Sequence, residues 1–276
     1  MTLGAESALT TVGTEKITLR GVRHRYPLRT SARGLGEFVA LDGIDFDIHG
    51  GELFAIVGPS GCGKSTLLDI LSGLVHPSEG RVCIDGKPVT GPALDRGIVM
   101  QGYALFPWRT TRSNIEFGLE VKRVPKAKRR AISDHFIRLV GLDGYEDRFP
   151  YELSGGMKQR VAIARALAYD PDILLMDEPF AAVDAQTREN LQDELLRIWE
   201  NTRKTIIFVT HAIEEAIYLA DRIAVLSPNP GVIREIVNVD LPRPRSSAGL
   251  RSSDSFGVLR NKVWRLLQTN SVRPPS

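Results

Sequence analysis

Hydrophobic positions along the chain follow two patterns, and the change from one to the other comes near residue 50. Before it, polar and apolar residues alternate: Lys16-Ile17-Thr18-Leu19, then Val22, and later Gly43-Ile44-Asp45-Phe46-Asp47-Ile48. Alternation with period two predicts strands with one buried and one wet face, as in an antiparallel sheet. The stretch 29–37 between them is rich in Gly, Ser and Arg and reads as a loop. After residue 50 the apolar residues come in continuous runs: Leu53-Phe54-Ala55-Ile56-Val57, Ile173-Leu174-Leu175-Met176, Thr205-Ile206-Ile207-Phe208-Val209 and Ile223-Ala224-Val225-Leu226. Strands covered on both faces of a parallel sheet have this composition. Helical patterns lie between the runs: 65–74 directly after the first, and 186–199, which places Leu191, Leu195, Ile198 and Trp199 on one face. Buried strands alternating with amphipathic helices predict a three-layer α/β core.

The middle of the chain, about 103–167, has few strand signals. Residues 126–140 form an amphipathic pattern with Ile132, Phe136, Leu139 and Val140 inward, and 156–168 form a second helix. This segment reads as a helical subdomain inserted in the α/β core. Residues 1–15 read as a flexible lead-in. A Pro/Arg/Ser-rich link, 242–253, precedes a last stripe of Phe256, Leu259, Val263, Leu266 and Leu267, one amphipathic helix in an extension over 246–276.

Composition narrows the class. The 276 residues are 42% hydrophobic and 25% charged, which is ordinary for a globular protein. No apolar run approaches the roughly 20 residues that span a bilayer, and the first fifteen residues lack the pattern of a secretory signal. Two cysteines, Cys62 and Cys83, exclude a disulfide framework and fit a reducing cytoplasm. A net charge of +3 gives no argument for nucleic acid. Basic residues do gather near the end (Arg234, Arg243, Arg245, Arg251, Arg260, Lys262, Arg265, Arg273), either as a solvated helix face or as a contact for anionic lipid or a partner.

The chemistry begins at Gly58-Pro59-Ser60-Gly61-Cys62-Gly63-Lys64-Ser65, which matches G-x-x-x-x-G-K-[ST] between a buried strand and a helix. Glycines let successive backbone N–H groups point into one concavity, and the helix adds its positive end. Lys64 then supplies a point charge for the β- and γ-phosphates, and the Ser65 hydroxyl can ligate Mg²⁺. Cys62 reads as a tolerated small residue in the loop, with a redox role as the weaker alternative. Farther on, the run 173–176 ends in Asp177-Glu178. Ligands of parallel sheets sit beyond the carboxyl ends of strands. Asp177 is therefore placed to hold Mg²⁺, and Glu178 to orient and deprotonate an attacking water.

At Leu153-Ser154-Gly155-Gly156-Met157-Lys158-Gln159-Arg160 the sequence resembles the signature motif of ABC-type ATPases. Further elements of that family follow in order. Val99-Met100-Gln101 resembles the Q-loop, Phe180-Ala181-Ala182-Val183-Asp184 the D-loop, and Val209-Thr210-His211 the switch histidine. Tyr26 resembles the aromatic that stacks on adenine. The resemblance implies a P-loop NTPase core over 16–245, mainly a parallel sheet, with an antiparallel β subdomain and the inserted helical subdomain. It implies ATP and Mg²⁺ as ligands, held by Tyr26, by the loop from Gly58 to Ser65 with Thr66 beside it, and by Gln101, which joins Ser65 and Asp177 around the metal. Glu178, His211 and Lys64 are implied as the catalytic set. Ser154, Gly155, Gly156 and Asp184 are implied to serve ATP bound to a second copy, so that a homodimer, or a pair with a similar subunit, sandwiches two ATPs.

The absence of a membrane span implies a separate permease chain, as in bacterial importers, with a solute-binding protein as an indirect partner and the cytoplasmic membrane face as the location. Phe106-Pro107-Trp108, Asn114-Ile115, Phe117-Gly118-Leu119, Ser227-Pro228-Asn229-Pro230-Gly231 and Leu241-Pro242-Arg243-Pro244-Arg245 resemble the subfamily serving nitrate, sulfonate and taurine importers. In the family the segment after the Q-loop docks the permease, so 103–108 is expected to line that groove; Trp108 is otherwise a local core aromatic. An ATPase acting on ribosomes or DNA is the alternative. It lacks support from the weak charge and from the absence of a second ATPase domain. A non-hydrolysing ATP-binding module is opposed by Glu178 and His211.

Overall fold

The computed structural model describes residues 14–30, 34–181, 183–228, 230–245 and 247–268. The lead-in up to residue 13, Ala182 of the D-loop, Asn229, and the tail from 269 with Arg273 lie outside the described residues. The chain opens with β1 (Glu15–Thr30) and β2 (Gly34–His49), followed by β3 (Leu53–Val57), α1 (Lys64–Ser72), β4 (Glu79–Ile84), β5 (Lys87–Pro88) and β6 (Arg96–Val99). Then come α2 (Thr111–Val121), α3 (Lys126–Leu139), a 3-10 turn at Pro150–Glu152 and α4 (Gly155–Ala168). The last part runs β7 (Ile173–Asp177), α5 (Ala185–Thr202), β8 (Thr205–Thr210), α6 (Ile213–Leu219), β9 (Arg222–Ser227), β10 (Val232–Asn238), α7 (Ser247–Leu250) and α8 (Asp254–Gln268).

Two sheets result. One is antiparallel with strand order β2-β1-β4-β5, and the other has order β10-β9-β3-β8-β7-β6, parallel except for the pairing of β10 with β9. Each apolar run read as a doubly covered strand is one. Along β3, Leu53, Ala55 and Val57 face one core while Phe54 and Ile56 face the other, and β7, β8 and β9 divide their side chains the same way. The first core is closed by α4, α5, α6 and α8. The second is closed by α1 and by Ile17, Leu19, Val22, Ile44, Phe46 and Ile48 of the antiparallel sheet. That is the three-layer arrangement demanded by strands with no polar face. The helices α2, α3 and α4 follow one another between β6 and β7, within the segment expected to be helical. Among the described residues no helix is long and apolar enough to cross a membrane.

Two expectations are corrected. The described residues of 29–37 are not loop: Arg29 and Thr30 of β1 pair with Leu35 and Gly34 of β2, continuing the register that sets Tyr26 opposite Phe38. Backbone pairing in an extended hairpin asks little of its side chains, so Arg29, Thr30 and Gly34 can carry it. Of the basic residues near the end, Arg260, Lys262 and Arg265 are exposed on α8, as a solvated helix face requires, but Arg243, Arg245 and Arg251 do not belong to such a face. Arg245 is buried and donates to the carbonyls of Ile217, Tyr218 and Ala220, which the end of α6 leaves without helical partners. Arg243 pairs with Asp221 at 2.7 Å and lies over the Trp199 ring, and Arg251 donates to Gln192.

The apolar stripe of α8 docks on the core, as its spacing suggests. Phe256 and Val263 are buried, and Leu259, Leu266 and Leu267 pack beside them. Phe256→Ala is expected to cost about 3–5 kcal/mol, the usual toll of a large cavity in a close-packed core. Val258→Ala, at a position 68% exposed, should stay within about 0.5 kcal/mol. Urea midpoints of the two variants check the pair.

Candidate active site

The phosphate loop forms because β3 must stop and turn sharply before α1. Gly63 sits at φ 97°, and a Cβ there would come within 2.8 Å of Ala40 O. A Cβ on Gly58 would lie 2.5 Å from Cys62 Sγ and 2.8 Å from Leu226 O. Both positions therefore admit only glycine, and the loop folds tightly over Cys62. Cys62 is fully buried, and burial pushes its thiol above the ordinary value. It fills space in the loop, and nothing about it suits a reactive thiolate. Lys64 is also buried, with Nζ donating to Gly58 O at 2.8 Å and to Pro59 O at 3.0 Å. The carbonyls of its own loop hold the ammonium at the mouth of the concavity.

Across the cleft, β7 and β8 end side by side, since Asp177 pairs with Val209. The Ser65 hydroxyl donates to Asp177 Oδ1 at 3.4 Å. Burial is the main influence on Asp177 and raises its pKa, with the Ser65 bond opposing and Glu178 adding to the rise. A site that strains a carboxylate in this way is stabilised by a cation. Glu178 takes φ 43°, a left-handed conformation seldom adopted outside glycine, and its N–H donates to Val209 O at 3.0 Å. Its two carboxylate oxygens are held from both sides: Gln101 Nε2 donates to Oε2 at 3.3 Å, and His211 Nδ1 lies 3.3 Å from Oε1. His211 is 57% exposed, so it can meet a ligand from the open side.

The cleft is lined by residues of the loop together with Thr66, Gln101 and Glu178, and also by Phe38 and Ala40. Tyr26 stands at its edge, its hydroxyl 3.2 Å from Thr66 Oγ1. The structure thus brings together Tyr26, the loop, Gln101, Asp177, Glu178 and His211. Ser154, Gly155, Gly156 and Asp184 do not line this cleft. Ser154 instead caps α4, its exposed hydroxyl accepting from Met157 N. Asp184 caps α5, its carboxylate accepting from Thr187 N at 3.0 Å, and that bond lowers its pKa.

The donor set fits a hard divalent cation. Ser65, Gln101 and Asp177 offer oxygen, and no group of three or more His, Cys, Asp or Glu is placed to cage a metal among the described residues. Mg²⁺ suits such a site because it keeps several waters and shares its shell with substrate phosphates.

Sequence reasoning missed two features. Phe38 is set opposite Tyr26 by hairpin register, which no linear motif records. Glu215, on α6 directly behind His211, is buried and charged-type, and its position four residues past the switch histidine was its only sequence signal.

A phosphate loop at the end of a buried parallel strand, facing a pinned carboxylate, defines a P-loop ATPase. The chain belongs to the ABC transporter family, whose model matches residues 41–181. It is 56% identical over 234 residues to an uncharacterized ABC transporter ATP-binding protein of Methanocaldococcus jannaschii, covering 85% of this chain and 86% of that one. It is 44% identical over 238 residues to the nitrate import ATP-binding protein of Synechococcus elongatus, covering 85% of this chain but 36% of that longer protein. Among solved structures, the ATP-binding cassette MJ0796, a dimer in a post-hydrolysis state bound to ADP and phosphate, superposes with a TM-score of 0.71 at 32% identity, over 82% of this chain and all of that one. The chain is an ABC transporter ATPase.

Proposed function

We propose that this ATPase energises an importer for a small solute of the nitrate, sulfonate or taurine type, working as two copies against a separate permease at the cytoplasmic face of the membrane. The observation that carries the two-copy reading is the division of the site. The phosphate loop, the metal-side oxygens and the base share one cleft, while Ser154, Gly155, Gly156 and Asp184 stand at helix starts outside it. A helix N-terminus with free N–H groups suits a phosphate, and the partner copy's cleft would supply one. That MJ0796 is a dimer supports two copies, and the nitrate import relative supports the solute class.

Within one cleft, Tyr26 and Phe38 offer aromatic faces for adenine, and the N–H groups of the loop with the Lys64 ammonium draw the phosphates into the concavity. Ser65, Gln101 and Asp177 would hold Mg²⁺, which would supply neutralisation of the charge developing on the transferring phosphoryl group. Glu178 accepts a proton from the attacking water, and Gln101 and His211 keep both of its oxygens aligned for that task. His211, half open to solvent, reaches the γ-phosphate side. Catalysis here is positioning with fixed charges, because the transferred group needs little covalent help.

The permease side is assigned to 103–108. Trp108 is 72% exposed and so is not a core aromatic, while Phe106 packs behind it against Phe117 and under Arg109 and Arg165. Arg165 also donates to the carbonyls of Tyr103 and Ala104, both at positive φ, which braces the segment from α4. An exposed aromatic on a braced loop is a natural anchor for a partner. Trp108→Ala should keep basal ATPase within about twofold and lose about tenfold or more of the permease recovered with the tagged protein from mild-detergent membranes. Equal recovery would remove 103–108 from the docking surface.

A further inference from the structure

Behind Glu178 lies a cavity of about 50 Å³, lined among others by Glu178, Arg188, Thr210, His211 and Glu215. Glu215 enters it from α6. Its carboxyl group faces the Thr210 side chain across the cavity wall, and its Oε1 is buried with no partner. Thr210 Oγ1 in turn accepts from Ala212 N at 3.0 Å. That bond from the residue after His211 ties the Thr210 hydroxyl into the turn that carries the switch histidine, beside Glu215 on the cavity wall. Arg188 enters from α5. Its Nη2 donates to Val183 O at 3.1 Å, on the residue before Asp184, and its Nε is buried without a partner. Two unpaired polar atoms, from two helices, thus belong to side chains lining one cavity. Buried polar groups are seldom left so, and the space is large enough for a bridging water.

We propose that Glu215 and Arg188 are positioning residues that tie the turn of the switch histidine to the segment carrying Asp184, across the cavity behind Glu178. Thr210 transmits the restraint on one side and the Val183 carbonyl on the other. The two elements that read the state of the dimer interface then move as one unit with the general base. The proposal rests on the roles given above to Glu178 and His211.

The charge state follows from the surroundings. Burial pushes the Glu215 carboxyl up to about 8. Arg188 on α5 and Arg251 after α7 oppose the rise, as does the Thr210 side chain at the end of β8, and Glu178 after β7 adds to it; His211 completes the wall. A raised pKa leaves Glu215 mainly neutral at pH 7, so Glu178 is the one negative charge facing this cavity. Above about pH 8 Glu215 ionises, repels Glu178 and competes with Val183 O for Arg188. Glutamine reproduces the neutral form, and leucine does not.

Steady-state ATPase assays of the full chain and its Glu215→Gln, Glu215→Leu and Arg188→Met variants from pH 6.5 to 9 test this. Glu215→Leu and Arg188→Met should each lower kcat about tenfold with KM for ATP within about twofold, since a small misplacement of catalytic groups has that effect. The double variant should be no slower than the worse single, because both cut one linkage. Glu215→Gln should match the wild type at pH 7 and keep activity above pH 8 where the wild type falls. Arg188 is only partly buried, so its variant tests the linkage even if Glu215→Leu folds poorly. Wild-type kcat in Arg188→Met, losses that multiply in the double variant, or coincident pH profiles for wild type and Glu215→Gln would each overturn the proposal. A Glu178→Gln protein that still turned over would instead overturn the underlying site assignment.

Discussion

Lys64→Ala is expected to lower ATP turnover by at least about 10²–10³-fold, the loss found when a preorganised charged donor is taken from a site of phosphate or oxyanion chemistry. The reason is local. Lys64 is buried at the mouth of the loop, and its ammonium is held by Gly58 O and Pro59 O. No other lysine or arginine lines the cleft among the described residues. Alanine removes the charge and leaves two carbonyls aimed at the place where phosphate oxygens must sit. Arginine should not rescue, because its planar fork does not fit a space shaped for a point charge. Fluorescent-nucleotide binding with phosphate release measures both halves of the effect. Turnover near the wild-type rate would refute the phosphate-loop assignment.

Glu178→Gln is the second large effect. It should bind ATP and slow hydrolysis by about 10²–10⁴-fold, the contribution of a positioned general base. The amide keeps the size of the carboxylate and its place at φ 43° against Val209 O, so the fold and the cleft should survive. What it lacks is the basic oxygen pair held between Gln101 and His211. A single-turnover assay with phosphate detection separates this loss from any change in binding.

Much of the fold was legible in the chain because both devices that build it leave linear traces. Strands β3, β7, β8 and β9 are covered on both faces, so their central positions are all apolar and the run is visible. The phosphate loop requires glycine at fixed spacing, and the acids must follow a strand end. Other parts carry no such trace. β6 begins with Arg96, a buried cation that donates to Leu71 O and Gly91 O and pairs with Asp95, so it does not read as a core strand. The hairpin of β1 and β2 continues through polar residues because pairing satisfies the backbone whatever the side chains are. Register alone sets Phe38 opposite Tyr26. Arg245 looks like surface charge in sequence, and only the fold shows the α6 carbonyls that it caps. Glu215 was missed for the same reason, since burial of a charged residue is a property of three dimensions.

The separation of Ser154, Gly155, Gly156 and Asp184 from the cleft makes the second copy the central claim. Light scattering coupled to size-exclusion chromatography on the Glu178→Gln protein addresses it directly, with and without saturating Mg-ATP. A mass that doubles from one chain to two when Mg-ATP is added is the result this account predicts. A single-chain mass in both conditions, with ATP bound, would contradict it.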